Sequence, residues 1–346
     1  MKVKYENMTA LAEAIGVSRP TLSKYFHDPT NLRDSSRLKI ERALKNVDYV
    51  PNFFARNLNR KSTKLFGFIV PHLNDLFYTS LIEAVEDQAF MHGYRLLVQN
   101  AHNDADREME ALETLRSMNA DGVIIAPVGN SIDAAALKRI SVDLPIVFVD
   151  APIEELSEEY PFVGTNNQQS ITLLVDYLCR SGNPPAFLGM PEVNSNSSER
   201  QTVYIERMTQ LGLEPRIIEA AERDEAWDFE EYAYNTMSSH FRQGKYIEDT
   251  ILCASDRLAF GVLKAAHEAK LWEPNNSSSS LRIAGHDNYP LSAFISPGLT
   301  TVSQDTNVLG QRVFEILIRE ATRRSTPGTR FPKELIDGRL VIRASA

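Results

Sequence analysis

The 346-residue sequence predicts an α/β protein: an N-terminal all-α head of the helix-turn-helix kind, joined to a two-lobe body built on parallel sheets. Three observations carry this reading. Two short helix patterns meet at Gly16 and Ser18, where a break and a helix cap are needed. From Lys64 onward strand-like apolar runs alternate with helix-like stretches, and the alternation resumes after an acidic connection at Glu154, Glu155, Glu158 and Glu159. Charge is also divided, since residues 1–63 hold 12 Lys and Arg against 6 Asp and Glu, whereas the rest holds 25 against 40. A net charge of −9 by itself speaks against a nucleic-acid partner, but this asymmetry lets a basic head meet phosphate while an acidic body limits non-specific sticking.

In the head, Ala10, Leu11, Ala12, Ala14 and Ile15 form a short helix pattern that Gly16 ends. Ser18 caps a second helix that tolerates Pro20 in its first turn. Leu11, Ile15, Val17, Leu22 and Tyr25 fall where two crossed helices share a small core. Arg19, Thr21, Ser23 and Lys24 are left to meet bases and phosphates. A third amphipathic helix is expected over 37–45, with Leu38, Ile40, Ala43 and Leu44 as its apolar positions. Pro51 then opens a possible two-turn helix over 51–58, too short to be stable alone and expected to form when DNA supports it. Residues 59–63 read as a polar, basic linker.

The pattern Ala12-Glu13-Ala14-Ile15-Gly16-Val17-Ser18, Thr21-Leu22-Ser23-Lys24 and Tyr49-Val50-Pro51-Asn52 resembles the lactose-repressor (LacI/GalR) family of bacterial transcription regulators. The resemblance runs on through Gly285-His286-Asp287, 299–305, Gly310 and 340–345, nearly the whole chain. It implies DNA contact through Asn7, Ser18, Arg19, Pro20, Thr21, Ser23, Lys24, Asn52, Ala55 and Leu58. Arg19, Pro20 and Lys24 stand where the family reads major-groove bases, and Leu58 where it wedges a leucine into a minor-groove step. It also implies a periplasmic-binding-protein-like body with three crossovers between lobes. Asn7 stands in place of the usual Thr, and Pro20 in place of a residue that often hydrogen-bonds.

In the body, strands are expected at 65–70, 94–99, 122–126, 146–149, 186–190, 216–220, 251–253, 282–285, 299–302 and 340–343. Helices are expected at 78–92, 105–118, 134–140, 170–181, 199–211, 230–241, 259–269 and 308–323, with a Ser-rich loop at 275–280. The division expected is a head over 1–50, a hinge helix and linker over 51–63, and an effector-binding, dimerising body over 64–346. Lobe one would take about 64–163 plus 306–335, and lobe two about 164–305 plus 336–346.

Ligands of such sheets sit beyond the carboxyl ends of the strands, here between the lobes. Asp150, Ser255, Asp256 and Asp287 follow strands and are therefore candidates, with turn capping the alternative for Asp150 and Asp256. Carboxylates beside an Arg bind vicinal hydroxyls, and aromatic faces pack sugar C–H surfaces. The resemblance adds Arg200, Phe77 and Gln304, with Trp227 as a second wall. Ser255 replaces a common Asn, Val203 a Gly, and Gly182-Asn183-Pro184-Pro185 lacks the usual Gly-His and basic pair. A sugar or sugar derivative is the expected effector, with nucleobases, nucleosides and phosphorylated metabolites as alternatives.

No dinucleotide, phosphate-loop, serine-hydrolase or zinc-protease motif occurs, and the histidines (His27, His72, His92, His102, His240, His267, His286) lack ligand spacing, so neither an enzyme nor a cofactor is expected. Cys179 and Cys253 read as two buried thiols of a reducing compartment. No apolar run suggests a signal peptide or a membrane span, so a cytoplasmic protein with no membrane partner is expected. No leucine heptad follows the last strand, which predicts a homodimer on a near-palindromic double-stranded operator. The sequence thus predicts a ligand-responsive regulator, a repressor by resemblance, whose lobe arrangement sets the spacing of two hinge segments. The other class is a constitutive architectural DNA-binding protein.

Overall fold

The computed structural model describes residues 3–27, 29–50, 62–130, 132–220, 227–271, 281–323 and 333–346. The hinge helix expected over 51–58, with Asn52, Ala55 and Leu58, lies outside the described residues, as does the loop 275–280. Contacts divide the chain into two units, 1–63 and 64–346.

The first unit is built from capped short helices. Asn7 accepts a hydrogen bond from Ala10 N–H at 2.9 Å and so caps Met8–Ile15. Gly16 ends that helix in the left-handed region, φ 71°, where a Cβ would be strained. The Lys39 ammonium donates to its carbonyl at 2.7 Å. Ser18 Oγ accepts from Thr21 N–H at 3.2 Å at the start of Arg19–His27. Leu11, Ala12, Ile15, Leu22 and Ile40 form the buried core, with Val17, Tyr25, Ala43 and Leu44 packed around it. The third helix, Asp34–Leu44, begins three residues before the expected start. Arg33 makes no side-chain cap there, so no cap signal marks the start, and Asp34 instead pairs with Arg37 at 3.0 Å. Val3–Lys4 and Val47–Asp48 add a two-residue parallel ladder too short to leave a period in the sequence.

The second unit contains two parallel sheets. The larger runs Lys333–Ile336, Phe162–Thr165, Ile146–Val149, Gly122–Ile125, Leu65–Val70, Arg95–Asn100 across the sheet. Alternate residues of its central strands enter different cores, because helices cover both faces. Phe66, Phe68, Val70, Ile124 and Val149 face one, and Leu65, Ile69, Val123, Ile125 and Phe148 the other. Emptying such a site, as in Phe68→Ala, costs about 3–5 kcal/mol. Thr306–Arg323 packs on Leu76–Met91 at Gly310, where a Cβ would come within 2.6 Å of Ala84 Cβ.

The smaller sheet runs Arg282–Ala284, Thr250–Cys253, Ala186–Leu188, Arg216–Ile217. Thr301–Ser303, antiparallel to Arg339–Val341, joins its edge through the bridges Ala284↔Thr300 and Asp287↔Ser303. The chain passes between the lobes near Thr165, Gln304 and Asp337. Asn166 Nδ2 donates to Asp337 at 2.8 Å, and Gln169 bonds both ways with Gly338, tying the first passage to the third.

Among the described residues of the second unit, two strands were not read from the sequence. Phe162–Thr165 is four residues behind an acidic loop, interrupted by Gly164. Lys333–Ile336 is an edge strand whose residues alternate between exposed and half-buried, and it pairs with Phe162–Thr165 from far along the chain. Several helices also begin earlier than expected: Leu76–Met91, Asn167–Ser181, Ser195–Gln210 and Asp256–Glu268 start at side-chain caps supplied by Asp75, Asn166, Asn194 and Ser255.

Candidate functional site

In the head, Ser18, Arg19, Pro20, Ser23 and Lys24 are exposed and Thr21 is half-buried. The second helix buries Leu22 and turns these polar residues outward. Ser18 and Thr21 also share a hydroxyl hydrogen bond of 2.8 Å.

In the body, a cleft between the lobes is lined by Phe77, Asp150, Arg200, Trp227, Ser255, Asp287 and Gln304, all named from the sequence. It encloses about 380 Å³, including the part open to solvent. Asp75, Tyr78, Asn196, Phe229 and Tyr289 also line it and were not named. Asp256 does not line it. That carboxylate lies beneath, fully buried, accepting from the Thr301 hydroxyl at 2.6 Å, the Ser292 hydroxyl at 2.5 Å and Tyr289 N–H at 3.0 Å. Its place is to hold the segment after Asp287 against the helix it begins.

The strand ends turn sharply to aim their side chains. Asp150 has φ 73° and Asp287 φ 133°, conformations that non-glycine residues adopt at a cost. Asp150 accepts from the Tyr78 hydroxyl at 2.8 Å and the Asn196 amide at 3.0 Å. Burial pushes its pKa up to about 6, against the pull of Arg200 and Tyr78. Arg200 is held by its own neighbours: Nε donates to Asn167 Oδ1 at 3.0 Å and Nη1 to the Ala254 carbonyl at 2.8 Å, leaving Asp287 at 3.5 Å.

Asp287 sits in a relay. Gln304 Nε2 donates to it at 2.6 Å, and Gln304 Oε1 accepts from the Thr165 hydroxyl, so two lobe passages converge on this carboxylate. His286, fully buried, places Nδ1 at 3.1 Å from Asp287 and Nε2 at 2.9 Å from Ser170 Oγ. Burial and the nearby Arg200 charge push its pKa well below the ordinary value, so the ring is neutral. With Asp287 ionised, a neutral ring donates from Nδ1 to the carboxylate and accepts at Nε2 from Ser170. Burial raises the pKa of Asp287 too, countered by Arg200.

A clasp joins the lobes. Asp75, which caps Leu76–Met91, accepts from Arg257 Nη1 at 3.1 Å and from the Tyr289 hydroxyl at 2.5 Å. Arg257 also forks onto Glu230 at 2.8 and 2.7 Å and lies over the Phe229 ring. Burial works against the Arg257 cation, but Glu230 and Asp75 more than offset it. Ser195 Oγ donates to the Pro152 carbonyl at 3.0 Å, and Gly129 N–H to the Val193 carbonyl at 3.0 Å, on the same seam. The aromatic wall is Trp227, stacked on Phe229 and His72, with Tyr78 tilted against it. Its Nε1–H is buried with no partner among the described residues. Asp75 had a faint sequence signal as a helix cap; Asn196, Tyr78 and Tyr289 had none.

The lining offers acceptors, donors and aromatic faces, the equipment of a polar-ligand receptor. Among the described residues no group of His, Cys, Asp and Glu could hold a metal ion, and no helix is long and apolar enough to cross a membrane. Cys179 and Cys253 are both free thiols.

Residues 63–337 match the family model of periplasmic binding proteins and the sugar binding domain of the LacI family. A sucrose operon repressor of Lactococcus lactis subsp. lactis is 27% identical over 316 residues, covering 90% of this chain and 92% of the relative. Catabolite control protein A of Priestia megaterium is 28% identical over 311 residues, covering 89% and 90%. Among solved structures, the Lac repressor bound to ONPG in the repressed state matches over 100% of both chains with a TM-score of 0.81 and 22% identity, a likeness of fold.

Proposed function

The chain belongs to the LacI family of transcription regulators, and from that membership we propose that it represses carbohydrate genes by binding a near-palindromic operator as a homodimer, under control of a sugar in its cleft. The observation that carries the cleft assignment is the convergence of Asp150, Arg200, Asp287 and Trp227 from four separate segments on one polar space. Bidentate hydrogen bonding beside a stacked aromatic face is how proteins hold sugars. In the head, the exposed row Arg19, Pro20, Ser23 and Lys24 supports major-groove reading, and Asn52, Ala55 and Leu58 would add contacts near the operator centre. Exposed Leu291 and Phe294, three apart on one short turn, suit a surface covered by a second copy. A regulator of chromosomal genes works in the cytoplasm.

Control follows from linkage. A sugar that binds one lobe arrangement better than another shifts the protein toward it, by no more than its difference in affinity. Two passages meet at Asp287 through Gln304, so a ligand held there bears on the relation between the lobes.

The test is a footprint of the full-length protein on DNA upstream of its own gene, at two salt concentrations and with added sugars. A protected near-palindrome whose occupancy changes with one sugar is the expected result. Protection that no sugar alters favours the architectural alternative, and no sequence preference at all refutes the reading.

A further inference from the structure

A buried carboxyl group that does not line the cleft stands behind the seam between the lobes. Glu108 lies in the first turn of the helix Ala105–Ser117 and is fully buried. One oxygen accepts from Val128 N–H at 2.9 Å, and the other has no partner among the described residues. The next residue crosses the seam: Gly129 donates its N–H to the Val193 carbonyl at 3.0 Å and bridges to Asn194. Asn194 caps Ser195–Gln210 by accepting from Asn196 N–H at 3.1 Å. Ser195 and Asn196 then reach back across the seam, to the Pro152 carbonyl and the Asp150 carboxylate. Two backbone residues therefore connect Glu108 to the place where this helix meets the other lobe.

No charge compensates Glu108. On its own helix and the turn before it, His102, Asp104 and Asp106 are exposed, and Arg107 pairs with Asp104 at 4.0 Å. On the neighbouring helix Ala134–Ser141, Asp133 is the cap, and Lys138 and Arg139 pair with Glu159 and Glu113. The strand Leu65–Val70 and the turn 126–129 carry no ionisable side chain. Burial lifts the Glu108 pKa to about 7 against the pull of the Val128 N–H, and no charged group contributes. Once ionised, the oxygen that no group solvates needs water, and water reaches it only if the turn 126–129 or the helix start moves.

We propose that Glu108 is a positioning residue for the seam: its neutral carboxyl group seats Val128 and Gly129 against Val193 and Asn194, and its ionisation frees that turn and loosens the contact between the lobes. The relation of the lobes is then set by pH as well as by whatever occupies the cleft. This goes beyond the sugar-receptor reading, which stands or falls separately.

The experiment is amide hydrogen exchange on the full-length protein between pH 5 and 9, read by mass spectrometry and corrected for the intrinsic pH dependence of exchange. Exchange times are kept to those over which Thr250–Cys253 stays protected, so that local opening and not unfolding is read. The closed form holds an extra proton between pH 4.5 and 7, so an opening that restores the ordinary pKa grows with pH, by about tenfold from pH 6 to pH 8, and levels off above. Peptides over 126–130 and 193–200 should both lose about that factor in protection. Glu108→Gln keeps an acceptor for Val128 N–H and cannot ionise; it should remove the factor and leave only what Asp150 and Asp287 add. A flat profile in the parent protein overturns the proposal without any variant. So does a loss confined to 126–130, or the same pH dependence in parent and Glu108→Gln.

Discussion

Asp75→Asn tests whether the inter-lobe clasp sets the lobe equilibrium. The substitution is nearly isosteric and keeps the helix cap, because an Asn oxygen still accepts from Phe77 N–H, now at 3.0 Å. What it removes is the charge that holds Arg257 at 3.1 Å and strengthens the Tyr289 bond at 2.5 Å. Hydrogen bonds to charged groups contribute about 1.5–3 kcal/mol, and the Tyr289 bond survives in weaker form. Arg257 is not stranded, since Glu230 still holds it bidentately. Removing the Asp75 charge also relieves repulsion on Asp150 and Asp287, which returns part of the loss. The net is about 2 kcal/mol against the closed lobes, or roughly a 30-fold shift of the equilibrium. Spin labels at exposed Glu110 and Gln243, in a Cys179→Ala background, would report it as a longer, broader distance distribution without ligand. Effector affinity should fall in proportion to the lost closed population. An unchanged distance distribution with an unchanged Tm would refute the clasp.

Glu108 offers a pH test. It is fully buried, one oxygen accepting from Val128 N–H at 2.9 Å and the other with no partner among the described residues, and burial raises its pKa from 4.5 to about 7. The native state therefore holds an extra proton between those values, and stability falls by up to about 3 kcal/mol as pH rises through them. Raised Asp150 and Asp287 act in the same direction, so Glu108→Gln should flatten, not abolish, the fall in urea stability between pH 5 and 8; identical slopes would place the proton elsewhere. Arg200→Ala should abolish the effector response measured on operator DNA, and a retained response would remove Arg200 from the site. Lys24→Ala should relax preference at one base position, whereas equal weakening on all sequences would make Lys24 a phosphate contact. Leu58→Ala should lose specific binding and keep the salt-dependent, non-specific part; an unchanged operator affinity would end the wedge assignment.

What the sequence determined by itself was whatever depends on near neighbours. Gly16 and Ser18 mark a break and a cap within a few residues, so the two crossed helices were legible. Apolar runs ending in Asp150, Ser255 and Asp287 were legible as strands, and the rule that ligands lie beyond strand ends put those residues at a cleft. Tertiary structure alone decided which of them face it. Asp256 adjoins Ser255, yet one step into the helix its carboxylate turns inward to Ser292 and Thr301. It alone decided the clasp, because Asp75 meets partners 182 and 214 residues away. It also decided the pairing of Phe162–Thr165 with Lys333–Ile336, two short strands with little period of their own. Periodicity and capping are local and leave a trace in a short window of sequence. Burial, charge pairing and strand register between distant segments leave none until the chain has packed.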